Sequence, residues 1–573
     1  MKVSDYIVQA LISAGVTDAF GYPGAVVCHL MDSMAKTDKI AMHLNYHEQG
    51  AAFCACGSAA ATGKIGFAYA NGGPGATNLV TGVANAYYDS LPVIFIAGQV
   101  DVADSVSGLP IRQKGIQEIP ITRMMEPICK FAARVEHLED IRYCVERACW
   151  EAAHGRKGPC VLEIPANIQR AEIDIERLRG FEPPCAHEDA ADNAADCIVN
   201  TLRNAKRPCF LIGNGMRNAH CREQLWDLAR ALHIPCVFSL PALDMLVQDD
   251  PVNLGFIGMN GHRYSNFVLG KADAIITLGS RLDVKQVGVT RTNFAPDAKL
   301  MRVDIDADEL CYKVREDEAS VCCDLNVLLV KLGQKDFASV PDFSQWLDAC
   351  HTLKKELYGH DFGPCHRFIQ KISEKVLFPC CITADVGHHE IHVAQAFAIR
   401  EEQRLFLSLG LASMGFSLPA AIGAACVTGK PVLAFCGDGG IQMNIQELQV
   451  LARDRLNVKV IIMNNHALGM IREFQERNFQ QKYTQSVPQN GYTLPDFEKI
   501  TRAYGLSYTR VESVEQIDAI DFHNKEPGVI EIMLPQDTYL YPRLVRGKPI
   551  SYMTPELEPD RYERYLKIQG GAI

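Results

Sequence analysis

The sequence predicts an α/β fold that consists of three doubly wound parallel-sheet domains. Apolar runs typical of buried parallel strands recur along the 573 residues, namely IGFAYA, PVIFIAG, PCVLEIP, PCFLIGNG, AIITLGS, VLAFCGDG and VKVIIMNN. Amphipathic segments of helical length, such as SDYIVQALISAG and QLWDLARALH, lie between these runs. The alternation favours strand–helix–strand units, in which helices cover both faces of a parallel sheet.

Two polar segments that contain proline indicate where the domains are joined. They are IERLRGFEPPCAHEDAADNAA, near residues 175–195, and GQKDFASVPDFSQW, near residues 333–346. We therefore predict an N-terminal domain at 1–178, a central domain at 190–335, a C-terminal domain at 350–545 and a tail at 546–573.

The composition is that of a globular protein, with 48% hydrophobic and 22% charged residues and a formal net charge of −11. Without a basic stripe, a nucleic-acid partner is not expected. No apolar run reaches the ~18 residues of a membrane span, and the start MKVSDYIVQALISAGV does not have a signal-peptide pattern. The 21 cysteines include no C-x-x-C pair, which is typical of buried thiols in a reducing compartment. We expect a cytoplasmic protein.

The segment CGDGGIQMNIQELQVLARDRLNVKVIIMNNHALGM contains the first candidate site. The run PVLAFC predicts a strand ending at Cys436, and apolar spacing predicts a helix from Ile441 to Arg453. A second strand, VKVIIM, ends near Asn464. Because a strand–helix–strand unit has parallel strands, the loops GDGG and NNHALG emerge at the same edge of the sheet.

Oxygen ligands in these two loops predict a magnesium site. Asp438 offers a carboxylate, Asn465 an amide oxygen and Ala467 a backbone carbonyl, and Mg²⁺ prefers such ligands together with phosphate oxygens. Backbone N–H groups could approach an anion at the neighbouring glycines, which are Gly437, Gly439 and Gly440. The residues alone leave a second interpretation open, in which the glycines form a turn and Asp438 caps the helix.

The spacing of GDG, then residues 440–463, then NN resembles the thiamine-diphosphate-binding motif. The resemblance implies that Asp438 and Asn465 bind the metal that holds the diphosphate. It also implies three doubly wound domains, which are pyrimidine-binding, central and diphosphate-binding. Further cofactor contacts would come from Gly469 and Met470 in the NN loop.

The N-terminal region resembles the part of this family that binds the pyrimidine ring. The segment NYHEQGAAF supplies Glu48, which in the family hydrogen-bonds the ring and activates the cofactor. Taken alone, a glutamate at a helix start more often compensates the helix dipole. The downstream run NGGPGATN resembles the family's glycine-rich loop and adds Pro74 and Asn78. Upstream, the GYPGA element would place the backbone of Gly24 and Ala25 opposite the reacting carbon.

Two further segments resemble cofactor-binding elements of the family. In LGLASMGFSLPAAIGAA, Met414 would bend the cofactor, and the carbonyl of Ala412 would accept from its amino group. Core filling is the alternative for Met414. In ADVGHHEIH, His388 and His389 would contact the diphosphate. Zinc binding by these histidines and His392 is an alternative that the HHEIH spacing does not favour.

Over nearly the whole chain the resemblance is nearest to acetolactate synthase (acetohydroxyacid synthase) large subunits, because GYPGA, HEQGA, GGPGATN, GMNG, GSRLD and MGFSLPAAIGAA recur in order. That family decarboxylates pyruvate and joins the acyl carbanion to a second 2-ketoacid. Gln117 matches a residue beside the reacting centre. The acceptor pocket departs from the family at Ile116, Lys285 and Phe474, and a lysine cannot form the bidentate fork of an arginine. An altered acceptor is therefore predicted.

Oligomeric state and FAD binding are less closely defined by the sequence. The resemblance implies a homodimer or homotetramer with active sites between subunits, although the sequence leaves open a site within one chain. The run PCFLIGNGMRN is a weak dinucleotide fingerprint, so FAD in the central domain and an ordinary turn are both open. The alternatives to carboligation are a flavin-coupled 2-ketoacid oxidase, a simple 2-ketoacid decarboxylase, and a catalytically silent binding protein.

Overall fold

A computed structural model describes residues 1–106, 108–184 and 190–568. The chain forms two compact units. The first comprises Met1–Cys185, Phe378–Glu390 and Phe406–Asp537, and the second comprises Ala186–Leu377, Ile391–Leu405 and Thr538–Ile573.

A six-stranded parallel sheet is formed within residues 1–106 and 108–184, in the order β2-β1-β3-β4-β6-β5. Its strands are β1 Asp18–Gly21, β2 Ala41–Leu44, β3 Gly66–Ala70, β4 Val93–Gln99, β5 Phe131–Arg134 and β6 Cys160–Pro165. The flanking helices are α1 Val3–Ser13, α2 Cys28–Ala35, α3 Glu48–Thr62, α4 Pro74–Tyr88, α5 Ile121–Met125, α6 Ile141–Ala153 and α7 Ala166–Arg170.

The sheet within residues 190–332 has a different strand order, β9-β8-β7-β10-β11-β12. Its strands are β7 Pro208–Ile212, β8 Cys236–Phe238, β9 Asn253–Phe256, β10 Ala274–Leu278, β11 Lys299–Asp304 and β12 Ala319–Cys322. Helices α8 Ala191–Arg203, α9 Arg222–Leu232, α10 Arg263–Lys271, α11 Val284–Val287, α12 Ala307–Cys311 and α13 Leu325–Leu332 accompany it, and α14 Ser344–Leu357 and α15 Pro364–Lys375 follow. Renumbered within the domain, this is the 3-2-1-4-5-6 order of dinucleotide-binding folds.

The third sheet has the order β14-β13-β15-β16-β18-β17, which repeats the order of the first. Its strands are β13 Cys381–Ala384, β14 Arg404–Leu407, β15 Val432–Gly437, β16 Val458–Asn464, β17 Ser507–Val511 and β18 Gly528–Met533. The helices of this region are α16 His388–Ala396, α17 Ser417–Thr428, α18 Leu448–Asp454, α19 Gly469–Asn478 and α20 Phe497–Ala503. The predicted fold class is confirmed, and the domain boundaries stay predictions.

Helices α3 and α17 pack closely inside the first unit because both are rich in glycine and alanine. A Cβ at Gly57 would lie 2.1 Å from the carbonyl oxygen of Ala420, and one at Gly423 would lie 1.9 Å from that of Cys54. Only glycine permits this approach of two backbones. The contact anchors the middle of α3, the helix that begins at Glu48.

The tail is docked on helices of the second unit through β19 Arg543–Leu544, β20 Met553–Thr554 and α21 Pro559–Leu566. The buried guanidinium of Arg263 pairs with Asp361 at 2.7 Å and donates to the carbonyls of Met553 and Pro555. The described cysteines are free thiols. Among the described residues, no helix is long and apolar enough to cross a membrane.

Candidate active site

The predicted cofactor-binding residues lie in segments that follow strands of the first and third sheets. In both sheets the order reverses between the first and third strands of the domain, which opens a crevice for ligands at the carboxyl edge. Gly24 and Ala25 follow β1, and Pro74 follows β3. In the third sheet, His388 follows β13 and Asp438 follows β15.

Asp438 has one carboxylate oxygen with a partner and one without. Its Oδ1 accepts from the hydroxyl of Tyr492 at 2.8 Å, and its Oδ2 is buried with no hydrogen-bond partner among the described residues. The side chain is 2% exposed, and burial raises the pKa of this carboxyl to about 6, an effect that the N–H groups of Gly439 and Ala467 partly offset. A buried oxygen that lacks a donor fits a metal cation.

The glycines around Asp438 make room for the other predicted residues. A Cβ at Gly437 would lie 3.1 Å from His389, and one at Gly439 would lie 2.8 Å from Leu468 and 3.3 Å from Met414. A Cβ at Gly469 would lie 2.9 Å from both Asn465 and His388. The residues brought together by these contacts are His388, His389, Met414, Gly437, Asp438, Gly439, Asn465 and Gly469. Their convergence accounts for glycine at these three positions, because a Cβ there would meet a neighbouring side chain.

Asp385, which was not among the predicted site residues, organises this edge. Asp385 is fully buried; it accepts from the Gly415 N–H at 2.6 Å and lies 2.8 Å from His389 Nε2. A Cβ at Gly440 would lie 2.5 Å from its Oδ2. It therefore joins the turn after Met414 to the GDGG loop. Its position directly before the VGHH segment was the available signal.

The histidines after β13 have different partners. His388 Nε2 lies 2.9 Å from Glu473 Oε2, and His389 pairs with Asp385. His392 Nε2 lies 3.1 Å from the carbonyl of Tyr539. Among the described residues, no group of three or more His, Cys, Asp or Glu side chains is arranged to hold a metal. The zinc interpretation therefore has no support from their geometry.

The NN loop supplies the remaining diphosphate-side residues. Asn464 ends β16 and donates to Glu531 at 2.6 Å, whereas the neighbouring Asn465 is buried on the side of Gly469. Ala467 is buried, and Met470 in α19 is partly exposed. One asparagine thus stabilises the sheet edge, and the other faces the glycine loop.

Glu48 is the first residue of α3, where the helix dipole stabilises a negative charge. His47 caps the helix, because its Nδ1 accepts from the N–H of Gln49 at 3.0 Å. Asn78 donates to Glu48 Oε2 at 2.9 Å, and a Cβ at Gly75 would lie 3.0 Å from Oε1. The structure thus brings the HEQGA and GGPGATN segments together around one half-buried carboxylate.

Ala412 has a left-handed backbone with φ of 58°. A residue with a Cβ in this region is strained by about 1–2 kcal/mol. The backbone is therefore bent at the position where the carbonyl was predicted to face the cofactor.

We expect Ala412→Gly to raise stability by about 0.5–1 kcal/mol, because glycine relieves the strain while its greater freedom in the unfolded chain offsets part of the gain. The carbonyl remains, so turnover should be unchanged within about twofold. Thermal unfolding measures the stability and steady-state rates measure the turnover. Ala425→Gly, inside α17, is the matched control and should lower the stability of the protein. A less stable Ala412→Gly protein would show that the backbone at Ala412 is not strained.

Glu447, which the sequence analysis did not single out, connects the C-terminal domain to the turn before Glu48. Its Oε1 accepts from the N–H of Tyr46 and its Oε2 from Asn45 Nδ2, both at 3.0 Å. It is 0% exposed, and burial raises its pKa from 4.5 to about 7. A buried acid therefore holds this turn in place.

This raised pKa predicts a pH-dependent stability. The folded protein binds the Glu447 proton more tightly than the unfolded chain does. The contribution of this proton to the free energy of unfolding is therefore complete below pH ~4.5 and is lost as pH rises through ~7. The loss amounts to about 3 kcal/mol. Glu447→Gln should therefore gain stability relative to the parent as pH rises from ~5 to ~8. Thermal unfolding across this range measures the effect.

The matched control for this experiment is Glu498→Gln, whose carboxylate is exposed beside Arg502. We expect the control and the parent protein to differ by a constant amount across the pH range. A Glu447→Gln curve parallel to that of the parent would contradict the assignment.

The predicted acceptor-pocket residues fall in both units. Ile116 and Phe474 belong to the first and are 85% and 54% exposed. Lys285 is exposed in α11 of the second unit. Gln117 has φ of 63° and is held by Asn71 at 2.8 Å. The side chains of Ile116, Gln117 and Phe474 are thus available to a ligand or to another chain.

The predicted FAD fingerprint lies at the switch point of the central sheet. Gly213 and Gly215 follow β7, and Gly279 follows β10, the neighbouring strand where the order reverses. A Cβ at Gly213 would lie 2.0 Å from the carbonyl oxygen of Gly279. The contact between these two loops is sufficient to explain why residue 213 is glycine. The strand order of the sheet is, independently, that of dinucleotide-binding folds.

Comparison with known proteins defines the class. The model described as thiamine pyrophosphate enzyme, N-terminal TPP binding domain, matches residues 1–124; the central domain of that enzyme class matches 195–332; the C-terminal TPP binding domain matches 385–532. These matches, the repeated sheet order and the orphaned Asp438 oxygen define a thiamine pyrophosphate (thiamine diphosphate) enzyme.

Relatives narrow this assignment. The acetolactate synthase large subunit of Lactococcus lactis is 32% identical, covering 95% of this chain and 94% of the relative. The isozyme 1 large subunit of Escherichia coli is 32% identical, covering 96% and 97%. The probable acetolactate synthase large subunit of Methanocaldococcus jannaschii is 34% identical, covering 93% and 92%. The chain belongs to the acetolactate synthase-like thiamine pyrophosphate enzymes, and the predicted resemblance is confirmed.

Proposed function

We propose that the protein decarboxylates a 2-ketoacid, most simply pyruvate, and joins the acyl fragment to an acceptor. The observation that carries the proposal is that one thiamine pyrophosphate enzyme chain contains both Glu48, which accepts from Asn78, and the buried Asp438. When bound, thiamine diphosphate supplies the carbon centre that stabilises the electron pair left by decarboxylation. Retention of both acids favours catalysis over the silent binding protein.

The residues on the diphosphate side are proposed to bind a divalent cation and the cofactor's phosphates. Asp438, Asn465 and the Ala467 carbonyl would hold Mg²⁺, since hard oxygen ligands suit it and Asp438 Oδ2 is buried without a donor. Phosphate oxygens would accept from N–H groups of the glycine loop, with His388, His389, Gly469 and Met470 beside them. This is a positioning role, because the diphosphate does not react.

On the pyrimidine side, Glu48 is proposed to hydrogen-bond the heterocycle, and Met414 and the Ala412 carbonyl to orient it. Pro74 starts α4, and the turn before it places Asn78 against Glu48. Gly24, Ala25 and Gln117 would face the 2-ketoacid. Since Ile116 and Phe474 are exposed, we assign them to the acceptor, whose identity should differ from the family's.

A homo-oligomer is proposed because, within one chain, the acid that contacts the turn before Glu48 is Glu447 and not Asp438. The segment Ile441–Glu447, which is kinked at Asn444, lies between Asp438 and this contact. A second copy could bring its Asp438 loop to Glu48 and cover the exposed Ile116. Dimer and tetramer both satisfy this geometry.

FAD binding in the central domain is a second proposal, supported by the 3-2-1-4-5-6 strand order and by glycines at the switch point. A flavin spectrum in the purified protein would support it, and a colourless protein that takes up no added FAD would refute it. A flavin-coupled oxidase would further require pyruvate to bleach the flavin without oxygen.

The decisive experiment incubates the protein with thiamine diphosphate, Mg²⁺ and ¹³C-pyruvate, alone and with a panel of 2-ketoacids, aldehydes and keto sugars. Mass spectrometry should detect labelled carbon dioxide and one ligated product. Free acetaldehyde with every acceptor would favour a simple decarboxylase instead. Without carbon dioxide from any 2-ketoacid, the proposal fails.

A further inference from the structure

Asn71 lies between two segments assigned to the substrate. It follows β3, and its Oδ1 accepts from the backbone N–H of Val26 at 3.0 Å. Its Nδ2 donates to Gln117 Oε1 at 2.8 Å. A Cβ at Gly24 would lie 2.4 Å from the Asn71 side chain, so the glycine of the GYPGA element is needed to admit it. One amide therefore joins the GYPGA turn to Gln117.

The direction of these hydrogen bonds follows from chemistry. A backbone N–H can only donate, so the atom of Asn71 that faces Val26 must be the oxygen. The nitrogen of Asn71 therefore faces Gln117, and the atom of Gln117 that receives it must be its oxygen. The remaining Nε2 of Gln117, a double donor, is turned away from Asn71.

The backbone also holds Gln117 in an uncommon conformation. Its φ is 63°, and the next residue, Glu118, anchors the loop by accepting from the N–H groups of Val106, Lys114 and Gly115 at 2.7, 3.2 and 3.3 Å. A Cβ at Gly73 would lie 2.7 Å from the Cβ of Gln117. Because left-handed residues persist only where their surroundings fix them, the loop is built to hold this side chain.

We infer that Asn71 is a positioning residue that makes Gln117 a hydrogen-bond donor toward an oxygen of the 2-ketoacid. The inference rests on the proposed function. The Gln117 side chain is exposed. Its Oε1 accepts from Asn71, and its Nε2 forms no hydrogen bond with a described residue. The carbonyl and carboxylate oxygens of a 2-ketoacid are all acceptors, so only the nitrogen end of the amide can bond them.

A double-mutant cycle tests this role on the holoenzyme. Asn71→Ala should lower kcat/KM for pyruvate about tenfold, and Gln117→Ala by at least as much. If Asn71 acts through Gln117, Asn71→Ala should cost nothing further in the Gln117→Ala background. An additional tenfold loss there would indicate a merely structural role and overturn the inference, as would full activity of Asn71→Ala.

Asn71→Asp supplies a second, sharper readout. One oxygen of the introduced carboxylate can still accept from Val26, but the other requires a donor, so Gln117 must turn its nitrogen to this carboxylate and its oxygen to the substrate. We expect this variant to lose more kcat/KM than Asn71→Ala, with unchanged thermal stability and cofactor affinity. Asn524→Asp, at an exposed asparagine whose side-chain oxygen accepts from the N–H of Glu526, is the control and should match the parent.

Neutron diffraction from deuterium-exchanged crystals separates failure of this inference from failure of the proposed function, because it needs no substrate. Deuterons on the Gln117 amide nitrogen that point away from Asn71 would support the assigned orientation. Deuterons that point toward Asn71 would overturn it, even if pyruvate is the substrate. A parent enzyme that ignores every 2-ketoacid would overturn the substrate part alone.

Discussion

Glu48→Gln should lower turnover of the 2-ketoacid by about 10²–10⁴-fold while the protein stays folded. Gln is nearly isosteric, and its amide oxygen can still accept from Asn78, which now bonds Glu48 Oε2 at 2.9 Å. What disappears is a negative charge at the first residue of α3, the charge proposed to bond the cofactor's heterocycle. The loss should therefore fall on chemistry rather than on cofactor binding.

Steady-state rates with saturating thiamine diphosphate and Mg²⁺ measure this effect, together with the cofactor's dissociation constant from fluorescence quenching. We expect that constant to change by less than about tenfold, because the diphosphate-side residues are untouched. Glu139→Gln, at an exposed 3₁₀ helix of the same domain, is the matched control and should behave as the parent does. A Glu48→Gln enzyme that kept most of its activity would remove Glu48 from the proposed site.

Local sequence patterns predicted the sheets and their loops, since buried parallel strands are continuous apolar runs and ligands gather at their carboxyl ends. Asp438 and Asn465 were predicted as site residues because they follow two such strands directly. The helix predicted from Ile441 to Arg453 is instead a 3₁₀ helix, Ile441–Glu447, followed by α18. Apolar spacing reports which face is buried, not the pitch of the helix.

Hydrogen bonds of Asn444 explain why the segment is not a regular helix. Asn444 leaves helical geometry with φ of −136° within the 3₁₀ segment. Its Nδ2 donates to the carbonyl of Gly415 and to Gln49 Oε1. These partners are distant in sequence, so no local pattern could reveal them. The same holds for Tyr492, which reaches Asp438 from 54 positions further along the chain.

Residues that position others were therefore the ones not predicted. Asp385 and Glu447 are buried carboxylates whose partners are backbone N–H groups or side chains on other elements. From sequence, each is one acid within an apolar segment. Their roles emerge only when the loops are assembled, because a buried carboxylate requires specific donors from its surroundings.

Mixing two inactive variants should restore activity if the half-sites come from two copies of the chain. Within one chain, Glu447 contacts the turn before Glu48, so the Asp438 loop lies beyond the 3₁₀ helix. In a mixed dimer of Glu48→Gln and Asp438→Ala chains, one site would carry both defects. The other would combine the intact Glu48 of one chain with the intact Asp438 of its partner.

In a mixed dimer one of the two sites is intact, so the isolated mixed dimers should recover about half of the parent activity. Each variant alone should be inactive, because Asp438→Ala removes the buried carboxylate proposed to hold Mg²⁺. The experiment co-expresses the two chains with different tags, isolates the mixed species by tandem affinity, and measures carbon dioxide release.

The control pairs Glu48→Gln with Glu48→Gln/Asp438→Ala, a combination in which no arrangement of two chains contains an intact site. Its mixed dimers should stay inactive, which excludes contaminating parent enzyme as the source of activity. If the test pair is equally inactive although mixed dimers are isolated, the site lies within one chain. In that case one chain supplies both the Glu48 side and the Asp438 side of the site, and the contact of Glu447 with the turn before Glu48 links the two sides.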